Sequence, residues 1–188
     1  MKKLKLIRHG ESCHNRDGVI QGQIDSELTE TGLSQAESLS QKISAGINII
    51  YTSELQRAYK TAEVLGERCG AEVERREALN ERHLGFLQGE DCSIWSDINI
   101  EDGWRPEGGE TYAEHVERVF EVVEEIKSLE NEKVALVAHS GTIYAILNEI
   151  VDDLEVWYQD IDNCSVTELV FDGESWEIAY FNQSLSEG

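Results

Sequence analysis

The sequence predicts an α/β fold, on three observations. Short apolar or β-branched runs alternate with longer stretches whose apolar residues recur at helical spacing. Three of those runs stop at polar or reactive side chains and pass at once into a loop or a helix-like pattern. A chain of 188 residues, 40% of them hydrophobic, is long enough to build a core without disulfide or metal staples. One domain over residues 1–188 is the corresponding expectation.

The first run, Leu4 to Ile7, reads as a strand that delivers Arg8 and His9 into a loop loosened by Gly10. Leu28-Thr29-Glu30-Thr31-Gly32 leads into a helix with Leu33, Ala36, Leu39 and Ile43 on one face and Thr29 as its cap. Ile47 to Tyr51 is β-branched and apolar, a buried strand. Ser53-Glu54-Leu55-Gln56 has the capping-box pattern and opens a helix with Leu55, Ala58, Ala62 and Leu65 inward. Arg57 falls near the first turn of that helix, where a solvated surface position and a site position are equally open.

Ala71 to Arg76 reads as a third strand. From Leu79 to about Gly109 the apolar and charged residues mix without period, so a long ordered loop is expected, with a short helix over Cys92 to Ile98. Pro106-Glu107-Gly108-Gly109-Glu110 is turn chemistry. Thr111 to Glu114 forms a second capping box before a helix with Val116, Val119, Phe120, Val123 and Ile126 inward, which puts His115 on its surface. Lys133 to Ala138 is the clearest buried strand. It ends in His139-Ser140-Gly141-Thr142, and Ile143, Ile146, Leu147 and Ile150 define the helix beyond. Ser165 to Phe171 and Trp176 to Phe181 form a hairpin-like pair across Asp172-Gly173-Glu174-Ser175.

Sixteen Lys and Arg against 38 Asp and Glu give a formal net charge of -22. That balance offers no basic footprint for a nucleic-acid backbone and none for an anionic membrane. Cys13, Cys69, Cys92 and Cys164 are scattered, without a C-x-x-C pair or a histidine at ligand spacing, so free thiols and no metal are expected. The opening apolar run is broken by Lys5 and stopped by Arg8 and His9, too early for a signal peptide. No segment approaches the roughly 18 apolar residues of a membrane span, and a cytoplasmic location is expected.

Taken alone, Arg8-His9-Gly10 reads better as a surface turn, with His9 making an ordinary side-chain hydrogen bond. The case for chemistry comes from convergence. Ligands bind at the carboxyl edge of open α/β sheets, and three strand-to-helix junctions bear Arg8 with His9, Arg57, and His139. If the strands are parallel and adjacent, cationic and cation-capable groups meet in one cleft suited to a dianion such as phosphate. The start of the helix after His139 adds free N–H groups that favour anions. A neutral imidazole can accept a phosphoryl group, and phosphoryl transfer then asks for oxygen donors and an acid for the leaving group. Glu81, in the irregular loop, is a candidate acid among many carboxylates.

Arg8-His9-Gly10-Glu11-Ser12-x-x-Asn15 resembles the signature of the histidine phosphatase superfamily, whose best-known branch is cofactor-dependent phosphoglycerate mutase. Gln21-Gly22 before Asp25-Ser26-Glu27-Leu28-Thr29, then Ser53-x-Leu55-x-Arg57-Ala58-x-x-Thr61-Ala62, agree in order and spacing. So do Leu79-Asn80-Glu81-Arg82-His83-x-Gly85-x-Leu87-Gln88-Gly89 and Val137-Ala138-His139. The resemblance implies a three-layer α/β/α sandwich with a mostly parallel central sheet, and cofactor-free, metal-free chemistry on a small-molecule phosphate ester. By resemblance His9 is the nucleophile, its other ring nitrogen held by a backbone acceptor. Arg8, Arg57 and His139 would bind the phosphoryl oxygens, and Asn15, Gln21, Gly22 and Ser140 would complete the pocket. Glu81 would be the acid.

Two positions depart from the pattern. Ser140 stands where glycine usually follows the second histidine, and Leu84 stands where mutases commonly carry tyrosine. Mutases also carry a paired arginine after the third block, whereas Gly89 to Gly109 holds only Arg105. A phosphomonoesterase is therefore expected, with mutase-type transfer as the alternative and a non-catalytic phospholigand binder behind it. Trp95, Trp104 and Tyr112 are candidates to line the entrance, while His14 and His83 read as peripheral.

Overall fold

The computed structural model describes residues 2–43, 46–98, 103–129, 133–150 and 160–184. In chain order these form β1 (Lys2–Arg8), α1 (Cys13–Asp17), α2 (Glu30–Ile43), β2 (Ile49–Thr52), α3 (Gln56–Cys69) and β3 (Glu72–Arg75). After three short 3-10 turns at Glu77–Leu79, Gly85–Leu87 and Cys92–Asp97 come α4 (Tyr112–Ser128), β4 (Val134–Ala138), α5 (Ser140–Ile150), β5 (Ser165–Phe171) and β6 (Trp176–Ser184).

The six strands make one sheet in the order β3-β2-β4-β1-β5-β6. β1, β2, β3 and β4 run parallel, and β5 pairs antiparallel with both β1 and β6. β4 is buried along its whole length because helices cover both faces of the sheet. Its pleat divides the core. Val134 and Leu136 pack with Val119, Val123 and Ile126 of α4 and Ile143 and Ile146 of α5. Ala135 and Val137 pack with Ala36 and Leu39 of α2 and Ala58, Ala62 and Leu65 of α3. Two helix layers enclose the sheet, which is the three-layer α/β/α sandwich expected. Among the described residues no helix is long and apolar enough to cross a membrane.

Capping was read correctly at two of three helices. Thr29 Oγ1 accepts the Gly32 N–H at 3.0 Å, and Thr111 with Glu114 forms the reciprocal box at α4. The Ser53 box does not form. α3 begins at Gln56, two residues later than a Ser53 cap requires, and Leu55 at its N-cap makes no side-chain bond. The Gln56 N–H is taken instead by Asp25 Oδ1, from a distant loop, at 2.7 Å. α1, five residues capped by Ser12 and Asn15, was not expected; a helix that short has no apolar period to reveal it.

The adjacency that the chemistry needs is present. β2, β4 and β1 are neighbours, so the ends bearing Ser53, His139 and His9 lie side by side. The His9 loop is also seated on the first turn of α2 by backbone contact. A Cβ on Gly10 would lie 2.4 Å from Gly32 O, and one on Gly32 would lie 2.1 Å from Glu11 O. Only glycine fits at either position.

Candidate active site

His9 stands one residue past β1, and its main chain is held from both sides. Its N–H donates to Ala138 O at 3.0 Å, extending the β1–β4 ladder, and its carbonyl accepts Asn163 Nδ2 at 2.8 Å. The ring is 2% exposed. Nδ1 lies 2.7 Å from Gly10 O. A carbonyl only accepts, so Nδ1 carries the hydrogen and the neutral ring keeps its lone pair on Nε2. Burial, then the charges of Arg57 and Arg8, push the His9 pKa well below 6.5, so the nucleophilic form dominates at neutral pH.

Arg57 is 1% exposed, which removes the surface alternative. Its two terminal nitrogens donate to Ile24 O at 2.9 Å and Gly22 O at 2.8 Å. Burial lowers its pKa to about 10, still a cation at neutral pH. Arg8 donates through Nη1 to Ile161 O. His139 closes β4 over the start of α5, its ring centroid 5.1 Å from that of His9 in an edge-on arrangement. Arg8 Nε, Arg57 Nε and His139 Nδ1 are buried without a hydrogen-bond partner among the described residues. Buried polar groups are ordinarily satisfied, and the two guanidinium N–H donors among these three fit an incoming oxyanion.

Glu81 faces the cluster from the irregular segment. Its Oε2 accepts the Gly141 N–H at 3.0 Å and its Oε1 accepts the Arg82 N–H at 2.9 Å. A Cβ on residue 141 would lie 2.4 Å from Oε1, so the carboxylate reaches α5 only because Gly141 is glycine. Glycine thus makes room for the carboxylate one residue after Ser140, the position where the sequence departs from the family pattern. Three carbonyls of this segment, Ala78, Asn80 and Glu81, accept from the Arg118 guanidinium, which also pairs with Glu110.

One cavity of about 400 Å³ is lined by Arg8, His9, Asn15, Gln21, Gly22, Arg57, Glu81, His139 and Ser140 together. Every residue singled out for the site from sequence borders it. Its outer part is lined by Arg82, Leu84, Cys92, Trp95, Tyr112 and Tyr144. Trp104 is not on the wall; it packs edge-on against Trp95 at 6.3 Å and lies under the Arg82 guanidinium at 5.4 Å. A larger groove of about 560 Å³ runs along α2 between Glu30 and Leu39, and its walls carry no cationic side chain. An anion belongs in the smaller one.

His115 corrects the sequence reading. It is fully buried, not on the surface of α4, and it borders the cavity with Nε2 4.0 Å from Glu81 Oε1 and 3.3 Å from Thr142 Oγ1. Burial first, then Arg118 and Arg82, lower its pKa to about 3, so the ring is neutral. Val119, Val123 and Ile126 face inward as expected, but at the start of the α4 stripe His115 is buried and Val116 is only half-buried. Ser53, Asn163 and Arg118 were missed as well. His14 and His83 lie off the cavity wall, as expected.

A sequence model of the histidine phosphatase superfamily, branch 1, matches residues 4–184. The chain belongs to the histidine phosphatase superfamily. A Hydrogenobacter thermophilus protein named as a phosphoserine phosphatase is 32% identical over 197 residues, covering 97% of this chain and 96% of that one. Phosphoglycerate mutase-like protein 4 of Arabidopsis thaliana is 31% identical over 191 residues, 94% of this chain and 83% of its own. Among solved structures, a mycobacterial glucosyl-3-phosphoglycerate phosphatase complexed with VO3 superposes with a TM-score of 0.86 at 31% identity, covering 98% of this chain and all of that one.

Proposed function

We propose that this chain is a metal-independent phosphomonoesterase that hydrolyses a small phosphorylated metabolite through a phosphohistidine on His9. The observation that carries the reading is the His9 ring itself, neutral, with Nε2 unprotonated, on the wall of a cavity shared with two arginines. In the first step Nε2 attacks phosphorus, the bond from phosphorus to the ester oxygen breaks, and Glu81 gives that oxygen its proton. In the second, Glu81 takes a proton from water, the oxygen attacks phosphorus, the N–P bond breaks, and His9 and inorganic phosphate are released. Arg8, Arg57 and His139 hold the equatorial oxygens, where charge must be stabilised during transfer. Asn15, Gln21, the backbone at Gly22, and Ser140 border the same pocket.

The charge on the phosphoryl group is matched by guanidinium groups of the chain, so turnover should persist in EDTA. Mutase-type transfer is the second reading, favoured by the close agreement at Asn80 to Gly89. Against it, Arg105 is engaged by Gly109 O and Glu114 and lies off the cavity wall. That leaves Arg82 as the outer arginine among the described residues on the wall. A panel of phosphorylated metabolites assayed for phosphate release in EDTA, beside a mutase assay on 3-phosphoglycerate, tests the reading. Phosphate release with slow or absent isomerisation supports it; isomerisation faster than release on the same substrate overturns it.

A further inference from the structure

Ser53 and Asn80 are buried behind the cavity and border none of it, yet their hydrogen bonds can be assigned atom by atom. The Glu54 N–H donates to Asn80 Oδ1 at 2.9 Å, which fixes that atom as the amide oxygen. An amide oxygen only accepts, so the Ser53 hydroxyl, 2.7 Å away, places its single proton there. One lone pair of the hydroxyl receives the Leu55 N–H at 3.1 Å. The other meets His139 Nε2 at 2.9 Å. Nε2 must therefore be the donor, and in the neutral ring the hydrogen sits there. Nδ1 is then a bare acceptor, buried without a partner among the described residues. The oxygens of a phosphate dianion are acceptors too, so Nδ1 and the anion cannot bond until a proton arrives.

We infer that Ser53 and Asn80 are positioning residues that lock His139 in its Nε2–H tautomer, so that the ring gains a proton at Nδ1 when a phosphate-like dianion binds. The inference rests on the phosphomonoesterase reading of the cavity. A ring free to choose its tautomer would turn a neutral Nδ1–H toward the anion and add no charge. The locked ring becomes a cation only when the ligand is present. Its surroundings set the direction of that change. Burial first, then Arg57 from α3 and Arg8 from the end of β1, keep it neutral in the free protein, and the neutral rings of His9 and of His115 from α4 also face it. Glu81 faces it across the cavity, bonded to Gly141 of the same helix. A dianion among these groups reverses the local potential and favours the imidazolium. The interaction is already made with the bound dianion, so it strengthens the binding of substrate and transition state alike.

Imidazole nitrogen resonances of the 15N-labelled full chain test this near neutral pH, with His139 assigned from the His139→Asn variant and sulfate as the probe. Sulfate has no proton of its own to give in this range. The free wild type should show His139 with Nε2 protonated and Nδ1 bare, and saturating sulfate should bring Nδ1 into the protonated range with Nε2 unchanged. In Ser53→Ala, sulfate should instead select a neutral Nδ1–H ring. Its KM for an aryl phosphate should rise on the order of tenfold with kcat moved less, and Ser53→Thr, which keeps the hydroxyl, should recover part of the loss. A free wild-type ring with its hydrogen on Nδ1 overturns the inference, even if the variants fail to fold. So does a sulfate titration that leaves His139 neutral or unshifted. These spectra need no turnover: an inactive wild type would sink the phosphatase reading and leave them standing, whereas an active enzyme with the opposite tautomer would sink only the lock.

Discussion

On one wall of the cavity, Arg8, His9 and His139 stand at the ends of two adjacent strands, and Arg57 stands on the helix that follows a third. Sheet hydrogen bonds, two packed helix layers and backbone contact at Gly10 and Gly32 fix them. On the other wall, Glu81 sits in a stretch of 3-10 turns with no strand around it, tied down by Arg118 and by the amide of Gly141. The first wall is over-determined, and on the proposed reading it binds the phosphate that every substrate shares. On the same reading the second carries the acid and, beside it, Trp95, Tyr112 and Leu84, which would meet the variable part of a substrate. A scaffold holds the common chemistry, and a loop holds what distinguishes one substrate from another.

Removing a member of the rigid wall should cost most. Arg57→Ala takes a donor from the phosphoryl oxygens and frees Ile24 O and Gly22 O, so kcat/KM for any phosphate ester should drop about 10³-fold. Steady-state assays on an aryl and an alkyl phosphate check it: equal losses belong to the phosphate wall, and a loss confined to one ester would contradict the division. Glu81→Gln should discriminate. An alkyl phosphate, whose leaving oxygen needs a proton, should lose about 10²-fold or more in kcat, and p-nitrophenyl phosphate considerably less. Identical losses would remove Glu81 from the acid role.

Arg118→Leu leaves the acid in place but releases three carbonyls of its segment and the partner of Glu110. An alkyl phosphate should lose on the order of tenfold in kcat, and unfolding should be easier by roughly 2 kcal/mol. Denaturant melts and alkyl-to-aryl rate ratios measure both. An unchanged ratio would mean that the loop holds Glu81 without this arginine.

The smallest effect concerns pH. His9, His115 and His139 bind protons less readily folded than unfolded, so the stability tied to their neutral forms is full above pH 6.5. It is lost as the pH falls from 6.5 toward about 3, the value for His115. Each such ring steepens the decline by up to about 1.4 kcal/mol per pH unit. Melting temperatures over this window should fall less steeply for His115→Leu than for the wild type, and parallel curves would contradict the buried, neutral assignment.

The same contrast governs what could be read from the residues. The phosphate wall was legible because strand ends are marked by abrupt changes of chemistry, as at Ile7 to Arg8 and Ala138 to His139. The order of strands was not written in any one segment; adjacency of β2, β4 and β1 was an assumption until the sheet was assembled. Ser53 misled because its spacing to Gln56 matches a capping box, while its hydroxyl is claimed by Asn80, 27 residues on. No local pattern announces such a bond. His115 was misplaced because both it and Val116 continue the helical stripe, and hydrophobicity favoured the valine. Glu81 could be placed in a functional loop by composition, but its choice over other carboxylates came from resemblance.

The central claim is that His9 carries the phosphoryl group. Rapid quenching during turnover of an aryl phosphate, with the reaction stopped in alkali and the digest mapped by mass spectrometry, tests it most directly. One phosphate per chain on His9, labile to acid and absent from His9→Ala together with activity, is the result expected. Phosphate on another residue, or turnover that survives His9→Ala, would contradict it.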